Sequence, residues 1–217
     1  MDAAMEDAWP LFALRLRSER LVLRLPTDDD LVALLAVAKA GIHPPGEMPF
    51  GVAWSTVPSP EFERSFMRYH WSMRASWSPA HWVLNLITEL DGVPIGTQSI
   101  EATDFAVLRT VGTWSWIGRE FQGKGFGKEM RAAALGFAFD GLGARVAETN
   151  AFLDNAASNR VSRGLGYEEN GRGFLAPEGV ARETQRFRMT LESWRSRPRG
   201  PLAIEGLEAC RPMFGVE

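Results

Sequence analysis

Apolar and polar positions first alternate at Arg20-Leu21-Val22-Leu23-Arg24, the period of a strand with one buried face. Thr27-Asp28-Asp29-Asp30 then supplies a capping residue and an acidic first turn, and an apolar helical run continues to about Lys39. Residues 41–60 break both periods. They are rich in Pro and Gly and carry His43, Met48, Phe50 and Trp54, which reads as a long apolar loop of the kind that often binds a ligand. Helical spacing returns from Glu61 to about Trp77. Trp82 to Glu89 and Val93 to Glu101 read as strands joined across Asp91-Gly92, a strong hairpin signal. Thr110 to Ile117 is a further strand, and Lys128 to Leu142 a helix with Gly143 as its C-cap. Arg145 to Phe152 reads as a buried strand, Asn155 to Gly164 as a short helix, and Tyr167 to Gly173 with Glu183 to Leu191 as a final strand pair. The tail after Trp194 holds Pro198, Gly200 and Pro201, then a short amphipathic piece ending at Phe214. Leu207, Met213 and Phe214 are costly to expose, so the tail is expected to pack on the domain or on a partner subunit.

Between the strand at Thr110–Ile117 and the helix after it lies Gln122-Gly123-Lys124-Gly125-Phe126-Gly127-Lys128. Glycines at this spacing let the backbone approach a ligand closely and adopt conformations a Cβ forbids. At a helix N-terminus their N–H groups and the macrodipole together favour an anion, and Lys124 and Lys128 add charge. The run therefore points to a phosphate or pyrophosphate. The two common nucleotide loops fit poorly. The dinucleotide fingerprint G-x-G-x-x-G would need its third glycine one residue after Gly127, and Glu129 stands where G-x-x-x-x-G-K-[ST] needs Ser or Thr.

Composition narrows the class. The 217 residues suffice for one well-buried domain with terminal extensions, and 45% hydrophobic with 24% charged residues is ordinary for a globular protein. Net charge of −3 gives no basic field for nucleic acid. No run approaches the roughly eighteen apolar residues of a membrane span. The acidic start, Met1 to Asp7, has no signal-peptide pattern, which with the single Cys210 makes a cytoplasmic protein the expectation. One cysteine also excludes an internal disulfide, and no His/Cys/Asp constellation suggests a metal.

Gln122, Gly125 and Gly127 form Gln-x-x-Gly-x-Gly, which resembles the acyl-coenzyme A pyrophosphate loop of the GNAT acyltransferase superfamily. A second match lies downstream: Asn155, Ser158 and Val161, followed by Leu165-Gly166-Tyr167, resemble the segment of the RimJ/RimL-like N-acetyltransferase branch, as does the opening strand Glu19 to Arg24. The likeness spans roughly residues 15 to 192. It implies an α/β (α+β) GNAT fold, a mixed, mostly antiparallel sheet splayed at the cofactor cleft and flanked by helices. Residues 1–14 would be an N-terminal extension, 15–194 the acyltransferase domain and 195–217 the C-terminal tail. Some actinobacterial members of this branch use succinyl donors, and the tail resembles theirs.

Carried over by position, the resemblance implies acetyl-CoA or succinyl-CoA as co-substrate and a primary amine as acceptor, without metal, nucleic acid or membrane. Backbone groups of Gln122 to Lys128 would hold the pyrophosphate; Trp116 and Ile117 would pair with the pantetheine arm as an added strand. Asn155 would bind the arm, and equally suits a helix N-cap. Ser158 would lie near the thioester sulfur. Many members place a tyrosine seven residues after the asparagine; here that residue is Ser162, leaving Ser158 as the substitute donor. Tyr69 and Tyr167 do not fit the slot, and Tyr167 reads as core.

Transfer of an acyl group to an amine needs a neutral amine, a donor for the oxyanion and stabilisation of the leaving thiolate. The backbone N–H of Ile117 or its neighbour is the oxyanion candidate. Glu101, Asp104, His43 and His81 are general-base candidates, and Glu120 beside the glycine run is read as solvent-facing. His43, Met48, Phe50 and Trp54 are expected to shape the acceptor site, and an arginine or histidine of the 41–54 loop or the tail, such as His43, to meet a succinyl carboxylate. A CoA-binding domain without turnover is the alternative outside enzymes. Eight tryptophans and an apolar tail favour a homo-oligomer.

Overall fold

The computed structural model describes residues 3–217; Met1 and Asp2 of the expected N-terminal extension lie outside the described residues. One nine-stranded sheet organises the chain. Its strands are β1 (Arg15–Arg17), β2 (Leu21–Arg24), β3 (His81–Leu90), β4 (Val93–Thr103), β5 (Thr110–Ile117), β6 (Val146–Phe152), β7 (Glu168–Leu175), β8 (Arg182–Thr190) and β9 (Ala203–Glu205). They lie in the order β7-β8-β6-β5-β4-β3-β2-β1-β9. Every pairing is antiparallel except β5 with β6. The fold is the mixed, mostly antiparallel α/β arrangement the sequence implied.

The helices that matter for the site are α2 (Asp28–Ala40), α3 (Glu61–Ala75), α5 (Phe126–Gly136) and α6 (Ala156–Leu165); α1 (Ala3–Ala8), α4 (Phe105–Leu108), α7 (Leu191–Arg195) and α8 (Leu207–Cys210) are short. Thr27 caps α2 in a reciprocal box with Asp30, as its sequence signature required. Asp30 also takes a two-pronged hydrogen bond from Arg24, which bonds Glu89 as well. The Arg24 guanidinium holds the Asp30 carboxyl down at about 2, against the opposing effect of burial.

The strand alternation sorts two cores. On one face Leu84, Leu86, Ile100 and Val111 pack against Met130, Ala134 and Phe137 from α5 and its continuation. On the other, Ile87 packs with Leu34, Phe62 and Phe66 from α2 and α3, flanked by Trp54 and Trp116.

Besides the short helices α1, α4 and α7, which no pattern announced, the helix after the glycine run and two edge strands differ from the pattern-based expectation. The helix expected to Leu142 gives way after Gly136 to a π-helical turn at Phe137–Gly141, and Gly143 follows with φ of +73°. β1 and β9 were not foreseen, because three residues are too few to show a period. The tail packs on the domain: β9 joins β1 at the sheet edge, and Phe214 is fully buried against Trp82, Trp77 and Phe137. Residues Leu11, Phe12 and Leu14, ahead of the first strand, are core residues too.

Candidate functional site

β5 and β6 are paired only through Thr110↔Val146, Val111↔Ala147 and Gly112↔Glu148. Beyond Gly112 the strands part, while β5 stays paired to β4 as far as Gly96↔Ile117. A V-shaped gap therefore opens towards Ile117, with Gly112 at its vertex. Backbone groups on the β6-facing edge of Ser115 to Ile117 lack a strand partner there, the condition for accepting an extended ligand as an added strand.

The glycine run lies at the open end. Gln122 anchors its start, its side chain donating to Ile42 O (2.6 Å) and Ile117 O (3.0 Å). Gly123 and Gly125 take φ of +75° and +86°, and Gly125 sits at the N-cap of α5 without a side-chain cap. Among the described residues, the N–H groups from Gly123 to Gly127 have no acceptor within the chain. A Cβ on Gly127 would meet open space. Five backbone donors without a partner at a helix N-terminus are the arrangement that favours an anion. Lys124 lies over the Phe121 ring, and the end of the Lys128 side chain lies beside Gly164 on α6.

Arg20 holds this turn in place, a role that no local pattern reveals. Its guanidinium pairs with Glu129, donates to Lys124 O (3.2 Å) and covers the Phe126 ring at 4.5 Å. Glu129 also accepts from Ser18 Oγ and the Arg20 N–H, both at 2.8 Å. Hydrogen bonds from Arg20 and Ser18 hold the Glu129 carboxyl below its usual range despite its partial burial.

α6 lines the other arm of the gap. Asn155 Oδ1 accepts from Ser158 N (3.0 Å), so this residue is an N-cap, and its amide nitrogen keeps no partner among the described residues. Ser158 is half-buried one turn into α6, while Ser162 is buried and bonded to Ser158 O. Tyr167 is buried in the core, with Oη 3.3 Å from Thr113 Oγ1.

The general-base candidates separate by place. Glu101 pairs with Gly112 and projects on the α3 face, level with the vertex. A Cβ on residue 112 would fall 2.8 Å from Glu101 Oε1, so glycine is what admits the carboxyl. Burial pushes the Glu101 carboxyl above its usual value, and His81 opposes this. Tyr69 is beside it, its phenol raised by burial. Asp104 caps α4 beyond the vertex, away from the open end. His81 bonds Thr103 at the exposed end of β3. His43 has both nitrogens engaged, with Pro44 O at 3.0 Å and Ser55 Oγ at 2.8 Å, which commits it to the shape of its loop. Glu120 is exposed, as expected.

The loop residues assemble one aromatic wall. Phe50 lies against His43 and Trp54, and Trp54 stacks on Phe62 and contacts Trp116 at 5.8 Å. Arg182 ties this loop across the gap, donating to Met48 O (2.6 Å) and to both oxygens of Asp154. The wall therefore stands over the α3 face of the vertex, where Glu101 points. Among the described residues, no helix is long and apolar enough to cross a membrane and no cluster of His, Cys, Asp and Glu could hold a metal ion.

Residues 20–168 match the family model described as an acetyltransferase (GNAT) domain. Among solved structures, RimJ of Mycobacterium smegmatis in complex with CoA-disulfide is similar over 87% of this chain and 88% of its own, at 20% identity and TM-score 0.65. The ribosomal alpha-N-protein acetyltransferase RimL in complex with coenzyme A is similar over 81% and 97%, at 17% identity and TM-score 0.62. A spermidine N-acetyltransferase SpeG chimera from Vibrio cholerae and hSSAT covers 82% and 100%, at 18% identity and TM-score 0.63. At these identities the likeness establishes the fold.

Proposed function

Because the chain belongs to the GNAT acetyltransferase family, we propose that it transfers the acyl group of a coenzyme A thioester, acetyl in the simplest case, to a primary amine. The observation that carries this reading is the gap between β5 and β6 ending at a glycine turn whose N–H groups have no acceptor within the chain. The pyrophosphate would rest on Gly123 to Lys128. The pantetheine arm would run along Trp116 and Ile117 and meet the free amide of Asn155. The backbone N–H of Ile117 or its neighbour would receive the oxyanion.

Transfer is direct in a ternary complex. The amine nitrogen attacks the thioester carbon, the C–S bond breaks, and a proton leaves the amine as the thiolate departs. Glu101 is the base this arrangement favours. It lies at the vertex on the face walled by Trp54 and Trp116, and burial raises its affinity for a proton, the direction that makes a carboxylate a better base. An α-amino group with pKa about 8 needs little help, since roughly a tenth is neutral at pH 7. Ser158 would hydrogen-bond the sulfur, directly or through water. The aromatic wall of Met48, Phe50 and Trp54 suits a peptide or apolar amine as acceptor.

Acetyl-CoA with a panel of peptide N-termini, lysine peptides and polyamines, followed by thiol release, tests the reading. Amine-dependent release is expected. Tight CoA binding with no release to any amine would make the protein a CoA-binding module instead.

A further inference from the structure

The loop that carries the acceptor wall is fastened at two places by different means. Near α3, Trp54 stacks on Phe62 and lies against Phe66 and Trp116, so apolar packing holds that end. Further out, Arg182 Nη1 donates to Met48 O (2.6 Å). Among the described residues this is the one hydrogen bond from residues 43–56 to the rest of the chain; their other bonds join residues of the loop to one another. Beside it, Gly51 lies against Leu175, the residue paired with Arg182 across β7 and β8. A Cβ on residue 51 would fall 3.1 Å from Leu175 Cδ1.

Arg182 belongs to the far arm of the split, since its strand, β8, pairs with β6 up to Phe152↔Thr184. The guanidinium covers the Phe152 ring at 4.0 Å and donates from Nη2 to both oxygens of Asp154, at 2.8 Å each. Phe152 and Asp154 build the turn that presents Asn155. The Asn155 N–H bonds Phe152 O (3.0 Å), and the Ala156 N–H bonds Asp154 O (2.9 Å). Phe152 lies four residues past Glu148, the last to pair with β5, or roughly 13 Å along the strand. Trp116 stands at the same count from Gly112 on β5. Arg182 therefore bridges the two arms near the mouth, on the α3 face. On the α5 face Arg131 links them, donating to Ser115 Oγ of β5 (2.9 Å) and Thr149 Oγ1 of β6 (3.3 Å).

We propose that Arg182 is a positioning residue for the transfer: aimed by Asp154, it holds the loop across the mouth of the split. It acts through Met48 and Phe50, which it sets in place as the acceptor's wall, and through the water that the closed loop keeps from the thioester. Water that reaches the thioester carbon breaks the same C–S bond and yields acetate and free CoA. The pair with Asp154 is open to solvent, with side chains 28% and 71% exposed, and so is weak. The fastening can then release to admit an acceptor and form again behind it. This inference rests on reading the cleft as an acyl-CoA site.

The full chain and its Arg182→Met, Arg182→Lys and Asp154→Asn variants test it in three readouts. These are calorimetric affinity for free CoA, cleavage after Glu47 by a glutamate-specific protease, and thiol release from acetyl-CoA with and without the amines of the panel above. Arg182→Met should keep CoA affinity within about twofold and speed cleavage after Glu47 about tenfold, with other glutamate sites unchanged. Thiol release without amine should rise severalfold. For an amine that is turned over, KM should rise about tenfold with kcat within about threefold. Arg182→Lys should recover part of each effect, since an ammonium can still donate to Met48 O, and Asp154→Asn should fall between. Unchanged cleavage after Glu47 would overturn the inference, as would a freed loop with neither faster thiol release nor a higher KM. Faster cleavage at every glutamate together with weaker CoA binding would also overturn it, leaving Arg182 as a residue of the fold. No binding of free CoA by the unaltered chain would overturn the reading of the cleft, and this inference with it.

Discussion

Single residues set the charge states at the site. Glu101 has its carboxyl raised by burial, so the folded protein holds this proton more tightly than the unfolded chain does. Stability then falls as pH rises from the ordinary carboxylate value through the raised one. Glu101→Gln should therefore raise the melting temperature slightly near neutral pH and suppress turnover, and a pH–rate profile should show an acid limb that the variant lacks. His70 works in the opposite sense. On the buried face of α3, with Asn85 and Ser99 forming a polar cluster, burial lowers it from 6.5 to about 4. It must remain neutral, so stability is lost as pH falls from about 6.5 towards 4, a decline that His70→Gln should flatten in thermal melts. Ser158→Ala should lower kcat more than it weakens CoA binding. The glycine turn and the Asn155 cap were legible because both follow from local backbone and spacing. Arg20 and Arg131 were not. Their partners lie far off in sequence, and an arginine in an amphipathic helix reads as surface until the sheet covers it.

At the scale of elements, the site is a strand, a turn and a helix held in one line. β5 supplies Gly112 at the vertex and Ile117 at the mouth, and α5 begins where the glycine turn ends. Gly125→Glu places bulk in a left-handed position and negative charge among the N–H groups, so CoA affinity should fall by orders of magnitude while the fold persists. Gly112→Ala is a separate probe: it should displace the Glu101 carboxyl and cut turnover, leaving CoA binding nearly intact. The strands and helices with several turns of pattern were foreseen to within a few residues. The three-residue strands β1 and β9 were not, because edge pairing between distant segments leaves no period to read. The π-helical turn after Gly136 was likewise invisible, since an apolar run such as Leu135 to Phe139 suits either helix.

Across the whole molecule the chain ends close the architecture that the centre uses. The tail adds β9 to the sheet edge and delivers Phe214 into the core beside Trp82, and the segment before β1 contributes Leu11 and Leu14. Phe214→Ala should cost about 3–5 kcal/mol, read as a lower denaturant midpoint without change in CoA affinity. The α3 face carries the aromatic wall and Glu101, while Arg131 lies on the opposite face of the same vertex, so the split in the sheet presents an aromatic side and a cationic side. The central claim is that this split is an acyl-CoA site. A thermal-shift titration with free CoA, acetyl-CoA and succinyl-CoA tests it most directly. Ligand at a hundred times its Kd should stabilise the fold by about 2.7 kcal/mol, a rise of roughly 5–10 °C for a chain of this size. An unchanged melting temperature with all three would contradict it and leave Gln122 to Lys128 as a structural turn.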